Sequence, residues 1–137
     1  MSEKFNRLSV QETVLERQAR MLSSSYNIRV VFKAGPPRTN GEVIFIPPVP
    51  DNVSPELMSA MQGYLDHEAG HIMFTEFSVF QDLQDKVLFL CLNAVEDIRM
   101  ERCVIDTFPG SLYNLKNAHL FVYNRVRENW DNLTLFN

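Results

Sequence analysis

The chain has 137 residues, of which 45% are apolar and 22% charged, with a net charge of −4, a composition that suits one globular domain able to bury a core without cross-links. Its charges are mixed along the chain, so it offers no basic surface for a phosphate backbone, and a nucleic-acid partner is not expected. No run reaches the ~18–20 apolar residues that span a bilayer, and the charged first seven residues have no apolar stretch behind them, so neither a membrane span nor a signal peptide is expected and the cytoplasm is the expected location.

Ser9-Val10-Gln11-Glu12 has the form of a capping box, and Val10, Val14, Leu15, Ala19 and Leu22 follow at helical spacing. The serines at 23–25 end that helix. Residues 28–32 and 42–46 are rich in β-branched and aromatic side chains and are expected as strands, joined by a turn-rich stretch at 35–41 and forming a hairpin or sharing a small sheet. Ser54-Pro55-Glu56 supplies an N-cap, a proline for the first helical position and an acid for the first turn, opening a helix expected to reach about Phe77. A second long helix is expected from about Val79 to Thr107, with Leu83, Val87, Leu90, Cys91, Ala94, Val95 and Ile98 as its apolar face. Phe108-Pro109-Gly110 breaks it, and a last helix runs from about Leu112 to Asn129. Cys91 and Cys103 fall on one helix, roughly 18 Å apart and beyond disulfide reach. The expected class is α+β and mostly helical, a single domain over 1–137.

His67-Glu68-Ala69-Gly70-His71 carries the strongest chemical signal. Histidines at i and i+4 share one helix face and can close on one zinc ion. The intervening Glu68 stands where it can take a proton from metal-bound water attacking a carbonyl, the pattern of a zinc peptidase. Gly70 costs ~1 kcal/mol relative to alanine inside a helix, which a close approach of another element would explain.

Two histidines leave a catalytic zinc short of its usual three protein ligands. The next helix offers Glu96, which lies beside the expected apolar face, an awkward place for an acid without a partner. Glu96 is therefore the expected third ligand, and Asp97 the expected orienting group behind a ligand histidine. The competing reading is a solvated charged face, with Asp97–Glu101 repulsion offset by Arg99 and Arg102. Asp97, Glu101 and His119 are the alternative third ligands, His119 more plausibly a core histidine.

The segments "DHEAGHIMFTEF" and "LNAVEDIRME", with "TNGEVIFIPP" and "FPGSLYNL" around them, resemble the metallopeptidase-like N-terminal region of cobaltochelatase-type von Willebrand A proteins of tailed bacteriophages. More loosely they resemble the gluzincin peptidases. The resemblance implies a zincin-like fold, a small hairpin or sheet followed by the HExxH helix and a second metal-ligand helix. It implies one Zn²⁺ on His67, His71 and Glu96, with Glu68 as general base. It also implies a peptide or protein substrate and a von Willebrand A or AAA+ partner, with the host cytoplasm as the location of a viral member. Relatives of this type continue into an acidic linker and a von Willebrand A domain, so a fragment or a stand-alone zinc domain is expected.

In gluzincins the strand before the metal helix binds substrate by adding a strand, which makes Thr39, Gly41 and Val43 candidate substrate contacts. Tyr64 and Tyr113 can each donate a hydrogen bond to an oxyanion, although packing explains both. The apolar surplus, with Trp130, suggests an interface. The expected function is zinc-dependent hydrolysis of a peptide bond. The alternative is a zinc-stabilised binding module of a von Willebrand A or AAA+ type assembly.

Overall fold

The computed structural model describes residues 7–22 and 27–134, the last four as backbone; the charged N-terminal stretch at 1–6 and the serines at 23–25 lie outside these residues. Helix α1 (Val10–Leu22) opens on a reciprocal cap: the Glu12 N–H donates to Ser9 Oγ at 3.0 Å and the Ser9 N–H donates to Glu12 Oε1 at 3.1 Å. The same pair grips the chain before the next helix, because Ser9 Oγ donates to the Val49 carbonyl and the Val49 N–H donates to Glu12 Oε2.

Strands β1 (Arg29–Phe32), β2 (Arg38–Thr39) and β3 (Val43–Ile46) form one sheet in the order β1-β3-β2. β1 and β3 pair in parallel, Arg29 opposite Val43 and Phe32 opposite Ile46, so they share a sheet without forming a hairpin. The hairpin instead joins β3 to β2, which lies inside the stretch expected as a turn. There Asn40 Oδ1 accepts from the Glu42 and Val43 N–H groups at 3.0 and 2.9 Å, and Gly41 takes φ +96°, where a Cβ is penalised. β3 is central and buries Val43, Ile44 and Ile46; β2 is left as an edge.

Helix α2 (Pro55–Phe74) starts as its sequence announces, with Ser54 Oγ accepting from the Leu57 N–H at 3.2 Å. Seven residues later than expected, after a 3-10 turn at Phe77–Phe80, comes helix α3 (Lys86–Thr107). Asp85 determines that start, since its Oδ1 accepts from the N–H groups of Val87 at 2.9 Å and Leu88 at 3.1 Å. Helix α4 (Ser111–Thr134) follows the expected break. The apolar face expected on α3 is corrected: Val87 is 70% and Ile98 59% exposed, and Leu90, Cys91, Ala94 and Val95 also face solvent, whereas Met100 and Val104 are fully buried. Periodicity reports that an apolar stripe exists, not which stripe a neighbour covers. The fold is α+β and mostly helical, and no described helix is long and apolar enough to cross a membrane.

α2 is the hub, packed by α1, α3, α4, β2 and β3. Two glycines admit the close neighbours. A Cβ at Gly63 would fall 2.1 Å from the Asn114 carbonyl oxygen of α4, and one at Gly70 would fall 2.2 Å from Met100 Sδ and 2.6 Å from Val104 Cγ2 of α3. Between them Asp66, 1% exposed, accepts from Gln18 Nε2 of α1 at 2.7 Å and from Asn114 Nδ2 of α4 at 2.9 Å. Burial raises its carboxyl above the usual range, against the hydrogen bonds from Asn114, Gln18 and Ser111. Gly70→Ala is expected to destabilise the fold by about 1–3 kcal/mol through overpacking, despite alanine's better helix propensity. Urea unfolding of the two proteins measures it, and a variant as stable as the parent would refute the tight crossing.

Candidate metal centre

The C-terminal half of α2 presents His67 and His71 one turn apart, with ring centroids 4.8 Å apart and Nε2 atoms 3.2 Å apart. Each ring is oriented from its other nitrogen. His67 Nδ1 lies 2.8 Å from Glu101 Oε1, a carboxylate that can only accept, so Nδ1 carries the proton. His71 Nδ1 lies 2.9 Å from Thr75 Oγ1, whose hydroxyl donates to Glu96 Oε1 at 2.8 Å. In their neutral forms both rings therefore turn an unprotonated Nε2 toward the same point.

The carboxylate that meets them is Asp97. Its Oδ1 is 3.1 Å from His71 Nε2 and 3.6 Å from His67 Nε2, and it is buried without a hydrogen bond. The three donor atoms all lie within 4.8 Å of one another. Two ligands of a tetrahedral zinc stand roughly 3.3 Å apart at bond lengths of ~2.0–2.1 Å, close to all three separations. An orphaned buried oxygen facing two bare imidazole nitrogens fits a divalent cation.

Glu96, expected as the third ligand, is turned elsewhere. Its Oε2 accepts from Arg99 Nε at 2.8 Å and its Oε1 from Arg99 Nη2 at 2.6 Å and from Thr75. Asp97 shares a stripe of α3 with Met100 and Val104, the residues seated at Gly70. Glu96 lies about 100° round the helix from Asp97. Asp97, not Glu96, therefore faces the two imidazoles, and Glu96 reaches His71 through the Thr75 hydroxyl. Nothing in the sequence singles out Thr75, whereas Glu101 is marked by its place four residues after Asp97, two like charges on one face needing cations or protons opposite.

Burial lowers His71, and the neighbouring His67 adds to this. Burial also acts to lower His67, but the hydrogen bond to Glu101 and the charges of Glu68, Asp97 and Glu101 outweigh it and raise its pKa. Glu101, pushed up by burial, is brought below the usual carboxylate range by His67 and by His119. His119 Nε2 stands 3.0 and 2.8 Å from the two Glu101 oxygens, so it braces the site from α4. Glu68 is raised by burial, with His67 opposing and Asp97 assisting.

Two clefts meet at the cluster. One, of about 300 Å³, runs between Arg38 and Thr39 of edge strand β2 and Phe77, Phe80 and Phe89. The other, of about 330 Å³, lies between α2 and α4 and reaches Tyr64 and His119. Of the expected substrate contacts, Thr39 lines the first cleft, Gly41 packs near Phe77, and Val43 is a buried residue of the central strand. Tyr113 is 74% exposed and lines neither cleft.

A family model described as "Cobalamin biosynthesis protein CobT" matches residues 8–130. Comparison with curated proteins and with solved structures returns no match. The family match agrees with the cobaltochelatase-type side of the resemblance and overturns the peptidase expectation, because it points to cobalamin biosynthesis and not to hydrolysis of a peptide bond by Glu68. The designations metallopeptidase and hydrolase fall with that correction. Matched over most of its length, the chain belongs to the CobT family of cobalamin biosynthesis proteins.

Proposed function

We propose that this domain is the metal-holding part of a cobaltochelatase-related assembly of cobalamin biosynthesis, carrying one zinc ion on His67, His71 and Asp97. The observation that carries the reading is the buried Asp97 Oδ1, without a hydrogen bond and 3.1 and 3.6 Å from two imidazole nitrogens. Two imidazoles and a carboxylate suit zinc, and other divalent metals such as cobalt(II) can occupy the same set. The motif histidines on one helix and the carboxylate on the next support a zincin-like arrangement used here to hold a metal. When bound, the ion supplies a tie between α2 and α3 and a positive charge at the floor of two clefts. Glu101 and Thr75 orient the two imidazoles, and Glu68 adds negative charge beside them. The partner that fits this reading is a von Willebrand A or AAA+ component of the same assembly.

Protein purified without added metal is expected to contain about one zinc per chain by elemental analysis. Asp97→Ala is expected to weaken zinc binding by more than ~100-fold, beyond the ~10–100-fold typical of losing an orienting partner. Retention of full affinity in that variant would remove Asp97 from the ligand set. Zinc at a hundredfold excess over its Kd adds about 2.7 kcal/mol to stability, so chelation should lower the melting temperature.

The interval between the zinc-loaded and chelated melting temperatures is expected to widen as pH rises from about 6 to about 8. His67, raised in the fold, stabilises the metal-free protein while protonated, and that contribution disappears as pH rises through its folded value. The same deprotonation frees Nε2 for the metal. An interval that stays constant with pH would contradict binding through this imidazole.

A further inference from the structure

We propose that Arg99, Glu96 and Thr75 form a positioning relay that sets metal affinity by fixing the orientation and tautomer of His71. This rests on the metal reading above and adds a role for three residues outside the ligand set. The relay starts at Arg99, whose Nη2 donates both to Glu96 Oε1 at 2.6 Å and to the Phe74 carbonyl at 2.5 Å, while its Nε donates to Glu96 Oε2 at 2.8 Å. One guanidinium therefore joins the last residue of α2 to the acid on α3, and both oxygens of Glu96 are engaged.

Held in this way, Glu96 accepts the Thr75 hydroxyl proton. A hydroxyl has a single proton to give. Once that proton points at Glu96, Thr75 Oγ1 can meet His71 Nδ1, 2.9 Å away, only as an acceptor. His71 must then carry its proton on Nδ1 and leave Nε2 bare toward Asp97 and His67. Thr75 is also the residue that caps α2, its own N–H donating to the His71 carbonyl at 3.0 Å, so the hydroxyl sits on a fixed backbone. The two ligand histidines are thus oriented by different means: His67 touches its carboxylate directly, whereas His71 reaches one through a hydroxyl.

The test compares Thr75→Val, which keeps the shape and deletes the hydroxyl, with Thr75→Ser, which keeps the hydroxyl. Binding is read with Zn²⁺ by competition against a chromophoric chelator, and with Co²⁺ by its visible absorption, which reports coordination geometry. Thr75→Val should bind zinc ~10–100-fold more weakly and shift the Co²⁺ spectrum, Thr75→Ser should restore both, and the metal-free melting temperatures of the three proteins should agree. Glu96→Gln should fall between, because an amide oxygen still accepts but carries no charge. Equal affinity and an unchanged spectrum in Thr75→Val would overturn the relay while leaving the metal site standing. A parent protein that bound neither ion would overturn both, and weak binding in Thr75→Ser equal to that in Thr75→Val would assign Thr75 a packing role instead.

Discussion

The close crossing of α3 over α2 at Gly70 is the constraint on which the centre depends. With no Cβ at that position, Met100 and Val104 seat against the α2 backbone, and their seating fixes the rotation of α3 about its own axis. Rotation decides which side chains one turn earlier look at the motif histidines. Asp97 does so, and Glu96, one residue away, is carried round to Arg99. A packing contact between a thioether, a branched methyl and a bare helix surface thereby determines the donor set of a polar site some distance up the helix.

The second glycine of α2 serves the opposite side of the same hub. Gly63 lets the α4 backbone in, and Asp66, placed between the two glycines, draws donors from α1 and α4. An acid so deeply buried is tolerated because two amides supply hydrogen bonds to its two oxygens. α2 is thus held along its whole length before any ion is considered, and the imidazoles project from a rigid support.

Local features were legible in the residues. The capping box at Ser9, the N-cap at Ser54 and the i,i+4 histidines are properties of a few consecutive side chains, and the structure reproduces the elements they predict. The glycine inside the motif likewise announced a neighbour. What could not be read was relational. Strand composition at 28–32 and 42–46 suits parallel and antiparallel pairing equally, so the parallel register and the short edge strand β2 emerge only from the fold. The apolar residues of α3 spread round much of its circumference, and nothing local says that Met100 and Val104 win the contact while Val87, Val95 and Ile98 lose it. The choice between two adjacent acids followed from that outcome. The peptidase reading failed for a different reason: a motif names what a site can bind, and the reaction depends on the rest of the assembly around it.

The walls of the two clefts have a consequence of their own. Pro37, His67 and Glu68 belong to both, so the chambers are separated by a partition only a side chain thick. Anything lodged on one side that shifts one of these groups reshapes the other side. By thermodynamic reciprocity, whatever one occupant does to the affinity for the other is returned in equal measure. Two guests of this domain would be coupled to the extent that either displaces a shared group.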